Sequence, residues 1–259
     1  MRYAGSLDFL PLWVLFLLTV AGVLLCIEAG YRLARHRAAS DDHEKESSAG
    51  AMANASLGLL AFLLAFTFGF AANRVEARRN LMLDEVNAIG TTWLRTATLP
   101  EAERAQPRAL LREYVDTRLA AARSPDVEVE IRRSVELQTR LWEHAAALAV
   151  RQPTSIVVGL YLQTLNETID LHTKRVTETL RLRVPGVVWT VLYLVTALSM
   201  AEMGYHMGLG GIRRPLSTPA LAITFASVVL LIADLDRPQS GWIRGSQEPM
   251  LELRQSMEE

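Results

Sequence analysis

Aromatic and small side chains recur with a helical period in one long apolar stretch, residues 51–72. The recurring residues are four apart along the chain: Phe62, Phe66 and Phe70 in one series, and Ala61, Ala65 and Gly69 in the other. Residues at this spacing lie on one face of a helix. If symmetric copies brought the phenylalanines around an axis, their rings would form a hydrophobic constriction that gates ion flow by dewetting. The small residues would let neighbouring helix backbones approach closely.

The same two stripes also suit a membrane helix that lines no pore. In that case the small residues pack against other helices, and the phenylalanines contact lipid. The sequence leaves both interpretations open, because it does not show whether the phenylalanines face an axis, lipid or another helix of the same subunit.

Carboxylates near the ends of the apolar stretches would attract cations if they lined a pore. The residues considered for this role are Glu76, Asp84 and Glu85 beyond the phenylalanine stripe, and Glu28 and Glu202 towards the opposite membrane face. The alternatives are a solvated helical face for the first set and a position in water at the membrane interface for the second. Ionisable residues at membrane depth are functional hypotheses by default, so both sets are retained.

Two aspartates, Asp234 and Asp236, end the fourth apolar stretch. Arg74 and Arg78 follow the second stretch on the same side of the membrane, and Arg237 follows the aspartates directly. We expect these five residues to form structural ion pairs that tie two helices together. An ion-binding site is the alternative for the aspartates.

Composition excludes several other classes of function. No serine, histidine and acid group resembles a catalytic triad, so we expect no enzyme. Cys26 is the only cysteine, and no cysteine and histidine cluster indicates a metal or cofactor. The formal net charge of -1 argues against a nucleic-acid partner, which normally requires a basic excess.

Four apolar stretches are long enough to cross the hydrocarbon core of a bilayer as helices, so lipid is a predicted partner. They cover residues 9–27, 51–72, 186 to about 207, and 216–233. This predicts an all-α protein with the following parts: two spans with a polar loop at 28–50 in residues 1–72, a helical domain in 73–185, two spans in 186–236, and a tail in 237–259. Arginine and lysine residues near the span ends favour a cytoplasmic location for both termini and for the helical domain.

The inserted domain, residues 73–185, shows only helical periodicity. Its first helix continues out of the second span, and its last helix leads into the third span as a membrane helix extended into water. Residues 124–126 and Thr154 have the composition of helix N-caps. We therefore expect a helical bundle without a sheet.

Two sequence blocks resemble the bacterial bestrophin-like family. The first contains Asn73, the run Glu85-Val86-Asn87-Ala88-Ile89-Gly90, Trp93-Leu94-Arg95 and Leu99-Pro100. The second contains Asp234-Leu235-Asp236-Arg237-Pro238, Gly241, Ile243, Ser246-Gln247 and Pro249, preceded by Gly208-Leu209 and Arg213-Arg214. Val86 departs from the alanine that is usual in the family, which is a small apolar change on a helix.

The resemblance implies a pentameric ion channel with four transmembrane helices per subunit. It also implies that the second helix lines the pore and that Phe62, Phe66 and Phe70 form the neck. No acidic cluster resembles the calcium clasp of animal bestrophins, so calcium gating is not expected.

The leading hypothesis is therefore a homo-oligomeric channel in the bacterial inner membrane, with inorganic ions as its cargo and cations preferred. The first alternative is a non-conducting scaffold or signalling protein whose helical domain binds a partner. A lipid-modifying enzyme is the third hypothesis, and it would require a catalytic cluster at the membrane interface.

Overall fold

The computed structural model describes residues 8–38, 46–124, 126–211, 215–238, 241–243 and 245–258. Eight α-helices are described: α1 Leu12–Ala38, α2 Glu46–Thr96, α3 Ala105–Ala121, α4 Val127–Arg151, α5 Ile156–Val176, α6 Gly186–Leu209, α7 Ser217–Leu235 and α8 Glu248–Ser256. The described residues contain no strand, which confirms the predicted all-α class. Residues 39–45 of the predicted polar loop, Pro125 and the pair Arg213-Arg214 lie outside the described residues, whereas residues 28–38 and 46–50 of that loop belong to α1 and α2.

The chain divides into two compact units. The span unit comprises Met1–Val75 and Leu182–Ile243, and the insert unit comprises Glu76–Arg181 and Arg244–Glu259. Helix α2 contributes its first part to the span unit and its last part to the insert unit.

Four helices, α1, α2, α6 and α7, are long and apolar enough to cross a membrane, as predicted. The first differs from its predicted bounds, because α1 continues past Ile27 to Ala38. Charged residues on this extension form an ion pair one helical turn apart, with Arg32 Nε 2.7 Å from Glu28 Oε1. The end of an apolar stretch therefore does not mark the end of this helix.

Glycines let α1 and α6 pack with their backbones in contact. A Cβ atom added at Gly30 would collide with the backbone at Ala201, and one added at Gly204 would collide with the backbone at Ile27. A side chain at Gly208 would meet Tyr31 and Ala34 in the same way. Such close approach is the usual basis of helix association in membranes, where hydrophobic burial provides little driving force.

Helix starts in the insert unit use the capping chemistry expected from the sequence, with one correction. Asp126 caps α4, and its side chain accepts a hydrogen bond from the backbone N–H of Glu128. The cap of α5 is Ser155, which accepts from Val158 N–H, so the predicted cap at Thr154 is wrong by one residue.

The last insert helix does not run directly into the third span, contrary to prediction. A π-helical turn, Thr177–Arg181, follows α5, and residues 182–185 are not helical. Pro185 then precedes the first residue of α6. The break has a steric cause, because proline disfavours the helical conformation of the residue before it.

The C-terminal segment contributes a helix to the core of the insert unit, which the sequence analysis treated only as a tail. Met250 and Met257 are fully buried and belong to the same hydrophobic core as side chains of α2, α3, α4 and α5. The Arg112 guanidinium donates to the backbone carbonyl of Met257, with Nε 2.9 Å from the oxygen. Helix α8 is therefore part of the packed unit.

We predict that Gly204→Ala destabilises the span unit, because the added methyl group meets the backbone of α1 rather than a movable side chain. The expected cost is about 1–3 kcal/mol, measured as a lower thermal unfolding midpoint in detergent. Gly22→Ala on α1 is the control, since its added methyl group meets nothing within 4 Å. Equal midpoints for the two variants would contradict the close packing.

Candidate functional site

The aromatic stripe of α2 lies on a face that the described residues leave largely exposed. Phe62 and Phe66 are each 67% exposed, and Ala61 and Ala65 are also exposed. Gly69, the last small residue, is partly exposed. The opposite face of the helix is buried, and it contains Leu60, Thr67 and Ala71. In this part of α2, one side of the helix therefore packs into the core of the span unit, and the other side is exposed.

Phe70, the third aromatic residue of the stripe, has a different environment from the other two. It is less exposed, at 38%, and the guanidinium of Arg74 lies over its ring at 4.6 Å from the centroid. This is a cation–π contact. The last aromatic ring of the stripe is therefore in contact with the positive charge of Arg74.

The carboxylates beyond the stripe fall into two environments. Glu76 and Asp84 are exposed. Arg78, which lies between them on α2, is half-buried in the insert unit. Glu85 is completely buried. Its burial argues against the hypothesis that Glu85 attracts ions from solution.

Glu85 is the centre of a buried polar cluster in the insert unit. Its carboxylate forms ion pairs with Arg118, whose Nε is 3.0 Å away, and with Arg175. The Tyr114 hydroxyl donates to Glu85 Oε1 at 3.0 Å and lies 3.2 Å from His172 Nδ1. Two guanidinium groups therefore share one carboxylate inside a core, and such an arrangement is stable only when its members are paired.

The cluster shifts the pKa values of its members in defined directions. Burial alone would raise the pKa of Glu85, but the adjacent Arg118 and Arg175 lower it to about 2. Burial and the charge of Arg118 lower the pKa of His172 to about 4. Burial also raises the pKa of Tyr114. At neutral pH the cluster thus contains a carboxylate, two guanidinium ions and a neutral imidazole.

Glu28 and Glu202, the acidic residues predicted near the opposite membrane face, also differ in their surroundings. Glu28 is paired with Arg32 on the exposed end of α1. Glu202 lies on α6, one turn before His206. The imidazole of His206 lies against the backbone of α2 at Gly50. These two glutamates therefore have different surroundings.

Asp234 and Asp236 are held mainly by backbone groups. The Asp234 carboxylate accepts the N–H groups of Trp242 and Ile243, at 2.5 and 3.0 Å. Asp236 Oδ1 accepts the N–H of Val184 at 2.9 Å. The carboxylate of Asp234 thus accepts hydrogen bonds from the turn after α7.

Arg237 forms an ion pair with Asp8, a residue that was not among the predicted partners. Its Nε lies 3.4 Å from Asp8, and its Nη1 donates to the Leu10 carbonyl at 2.8 Å. Arg183 also pairs with Asp8, at 3.1 Å, and donates to the carbonyl of Asp236. Together these contacts join the start of α1, the segment before α6 and the end of α7.

Sequence reasoning missed Asp8 and Arg183 in the span unit, and Tyr114, Arg118 and Arg175 in the insert unit. Each is far along the chain from the residues that it contacts. Only one feature of the sequence could have indicated such residues. It is a charged residue at a position where helical periodicity predicts an apolar side chain. Arg118 gives this signal on α3, where it is buried in line with Leu111 and Tyr114.

A family model described as a Bestrophin-like domain matches residues 10–250. The chain therefore belongs to the Bestrophin-like family, as the resemblance predicted. The family assignment supports a bestrophin-type channel, rather than an enzyme, as the class of protein. No curated protein matches the chain.

Crystal structures of a bacterial bestrophin homologue from Klebsiella pneumoniae share the fold. One single-site variant matches with a TM-score of 0.66 and 15% identity, over 96% of this chain and 99% of that chain. The structure obtained by Zn-SAD phasing has a TM-score of 0.65 and 17% identity, over 96% of each chain. At these identities the similarity establishes the fold.

The buried cluster predicts an acid sensitivity that depends on His172. In the unfolded chain an imidazole gains a proton near pH 6.5, whereas His172 in the folded chain gains it only at about pH 4. The unfolded state therefore binds more protons in this interval, and stability falls as the pH falls through it. Glu85 adds a further loss below its ordinary pKa of 4.5.

We expect His172→Gln to lose less stability than the unsubstituted protein between about pH 7 and about pH 5, by roughly 2 kcal/mol. Thermal unfolding midpoints in detergent across this range test the difference. His36→Gln, at an exposed position on α1, is the control and should follow the unsubstituted protein. Parallel pH profiles for His172→Gln and the unsubstituted protein would contradict the assignment.

Proposed function

We propose that the chain is the subunit of a homo-oligomeric, pentameric ion channel whose pore is lined by α2. The observation that carries this proposal is the uncovered aromatic face of α2, since Phe62 and Phe66 stay mostly exposed while the opposite face is buried. The bestrophin-type class supports it as well.

In this proposal Phe62, Phe66 and Phe70 form the neck. One helical turn separates successive residues, which places consecutive rings about 6 Å apart along the pore. A narrow apolar ring expels water, so ions lose their hydration there unless the neck widens. The exposed residues Ala61 and Ala65 would allow the α2 helices of adjacent subunits to approach.

Cation preference is the finer part of the proposal, and it rests on exposed carboxylates. Glu76 and Asp84 are exposed on the part of α2 that follows the neck, so five copies would place rings of negative charge along the axis. Glu85 is left out of this set, because Arg118 and Arg175 already neutralise it in the core.

We further propose an inner-membrane location with both termini in the cytoplasm. Residues 73–185 would then form a cytoplasmic domain. The arginines near the span ends on this side support the orientation, because positive residues are retained in the cytoplasm.

Phe66→Ala should increase conductance or leave the channel open, since the substitution removes one apolar ring and admits water. Ion currents in planar bilayers, or Na⁺, K⁺ and Cl⁻ flux from liposomes, measure the effect. Phe68→Ala is the matched control, because Phe68 is an exposed aromatic residue of α2 that lies off the stripe. Currents that change equally in both variants would count against a neck at Phe66.

A lipid-embedded structure of the assembled protein tests the architecture directly. We expect a ring of five subunits with Phe62, Phe66 and Phe70 directed at the central axis. A monomer or a dimer without a continuous axial path would overturn the channel proposal.

The alternative function is a membrane-bound scaffold, and one observation favours it. Several large apolar side chains of the insert unit are highly exposed, among them Leu94, Val150 and Ile156. Exposed apolar groups of this kind can mark protein contacts. A non-conducting assembly that retains a soluble partner through these residues would support the scaffold.

A further inference from the structure

We propose that Glu202 and His206 form a binding site for a divalent transition-metal cation, with Zn²⁺ as the representative ion. The site lies in the span unit, on the face of α6 that contacts the first turns of α2. It does not depend on the proposed channel function. The sequence analysis considered Glu202 only as a carboxylate that attracts cations near the membrane face, and it predicted no metal site.

Helical spacing places the two side chains together. Glu202 and His206 are one turn apart on α6, where Cβ atoms at this spacing are about 5–6 Å apart. Ser199 lies on the same face, and its hydroxyl donates to the Ser56 carbonyl of α2 at 3.2 Å. This face of α6 is therefore turned towards α2.

The imidazole of His206 is fixed by a glycine of α2. A Cβ atom at Gly50 would lie 2.9 Å from His206 Cε1 and 3.1 Å from Nε2. Only the missing side chain of Gly50 leaves room for the ring. Glycine at this position thus provides a backbone surface against which the imidazole packs.

Both side chains contain a buried polar atom whose bonding capacity is unused. Glu202 Oε2 and His206 Nδ1 are inaccessible to solvent, and neither has a hydrogen-bond partner among the residues that the structure describes. Leaving polar groups unsatisfied in this way is costly, and a bound cation would remove the cost at both atoms.

The donor atoms fit Zn²⁺ and similar ions. A carboxylate oxygen and an imidazole nitrogen bind Zn²⁺ at about 2.0–2.2 Å. Histidine ligands one helical turn apart are a recurring device in metal sites. The described residues contain no cluster of three or more such ligands, so water would complete the coordination. We therefore expect a weak, exchangeable site rather than a closed structural one.

Isothermal titration of the full-length protein in detergent with ZnCl₂ tests the site. We expect saturable binding of one Zn²⁺ per chain, weakened by about tenfold or more in Glu202→Gln and in His206→Asn. His36→Ala and Glu28→Gln, which alter an exposed and a partly exposed side chain of α1, should bind as the unsubstituted protein does. Size-exclusion profiles establish that each variant is folded.

A second pair of variants examines the geometry without removing a ligand. Gly50→Ala should weaken Zn²⁺ binding, because its methyl group displaces the imidazole of His206. Gly58→Ala is the matched control on the same helix, where an added methyl group meets nothing within 4 Å. The proposal is overturned if no saturable binding occurs below about 1 mM, or if binding persists unchanged in the Glu202→Gln, His206→Asn double variant.

Discussion

The hydrogen bonds of Asp234 and Asp236 hold together three parts of the span unit that are far apart in the chain. Their carboxylates accept backbone N–H groups after α7 and before α6, while Arg183 and Arg237 converge on Asp8 before α1. Charged groups next to apolar helices are costly unless each is paired. Pairing all of them in one place fixes where three helices begin or end.

Helices α1 and α6 pack against each other through glycines, whereas α2 contributes only one of its faces to the core of the span unit. Gly204 and Gly30 bring the backbones of α1 and α6 into contact. Helix α2 buries Leu60 and Ala71 in the same core but leaves Phe62 and Phe66 outside it. This aromatic surface, which the described residues leave exposed, is the feature on which the proposed function rests.

The insert unit follows a different rule, in which polar groups occupy the core but satisfy one another. Glu85 lies between Arg118 and Arg175, with Tyr114 donating to the same carboxylate. Removing the Glu85 carboxylate would leave both guanidinium groups without their shared partner, which is more costly than the loss of one contact. The cluster thus specifies how α2, α3 and α5 pack within this unit, in addition to the apolar contacts around it.

The sequence by itself determined the helical class and the four apolar spans, because these follow from the length and period of local patterns. It identified the stripe from Phe62 to Phe70 for the same reason. The family was indicated separately, by the resemblance of the two blocks around Glu85 and Asp234. The sequence did not reveal that Glu85 is buried, that Asp8 joins Arg237, or that Gly50 contacts His206. Those relations depend on residues tens to hundreds of positions apart meeting in space, so only the tertiary structure decided which carboxylates are paired and which remain available.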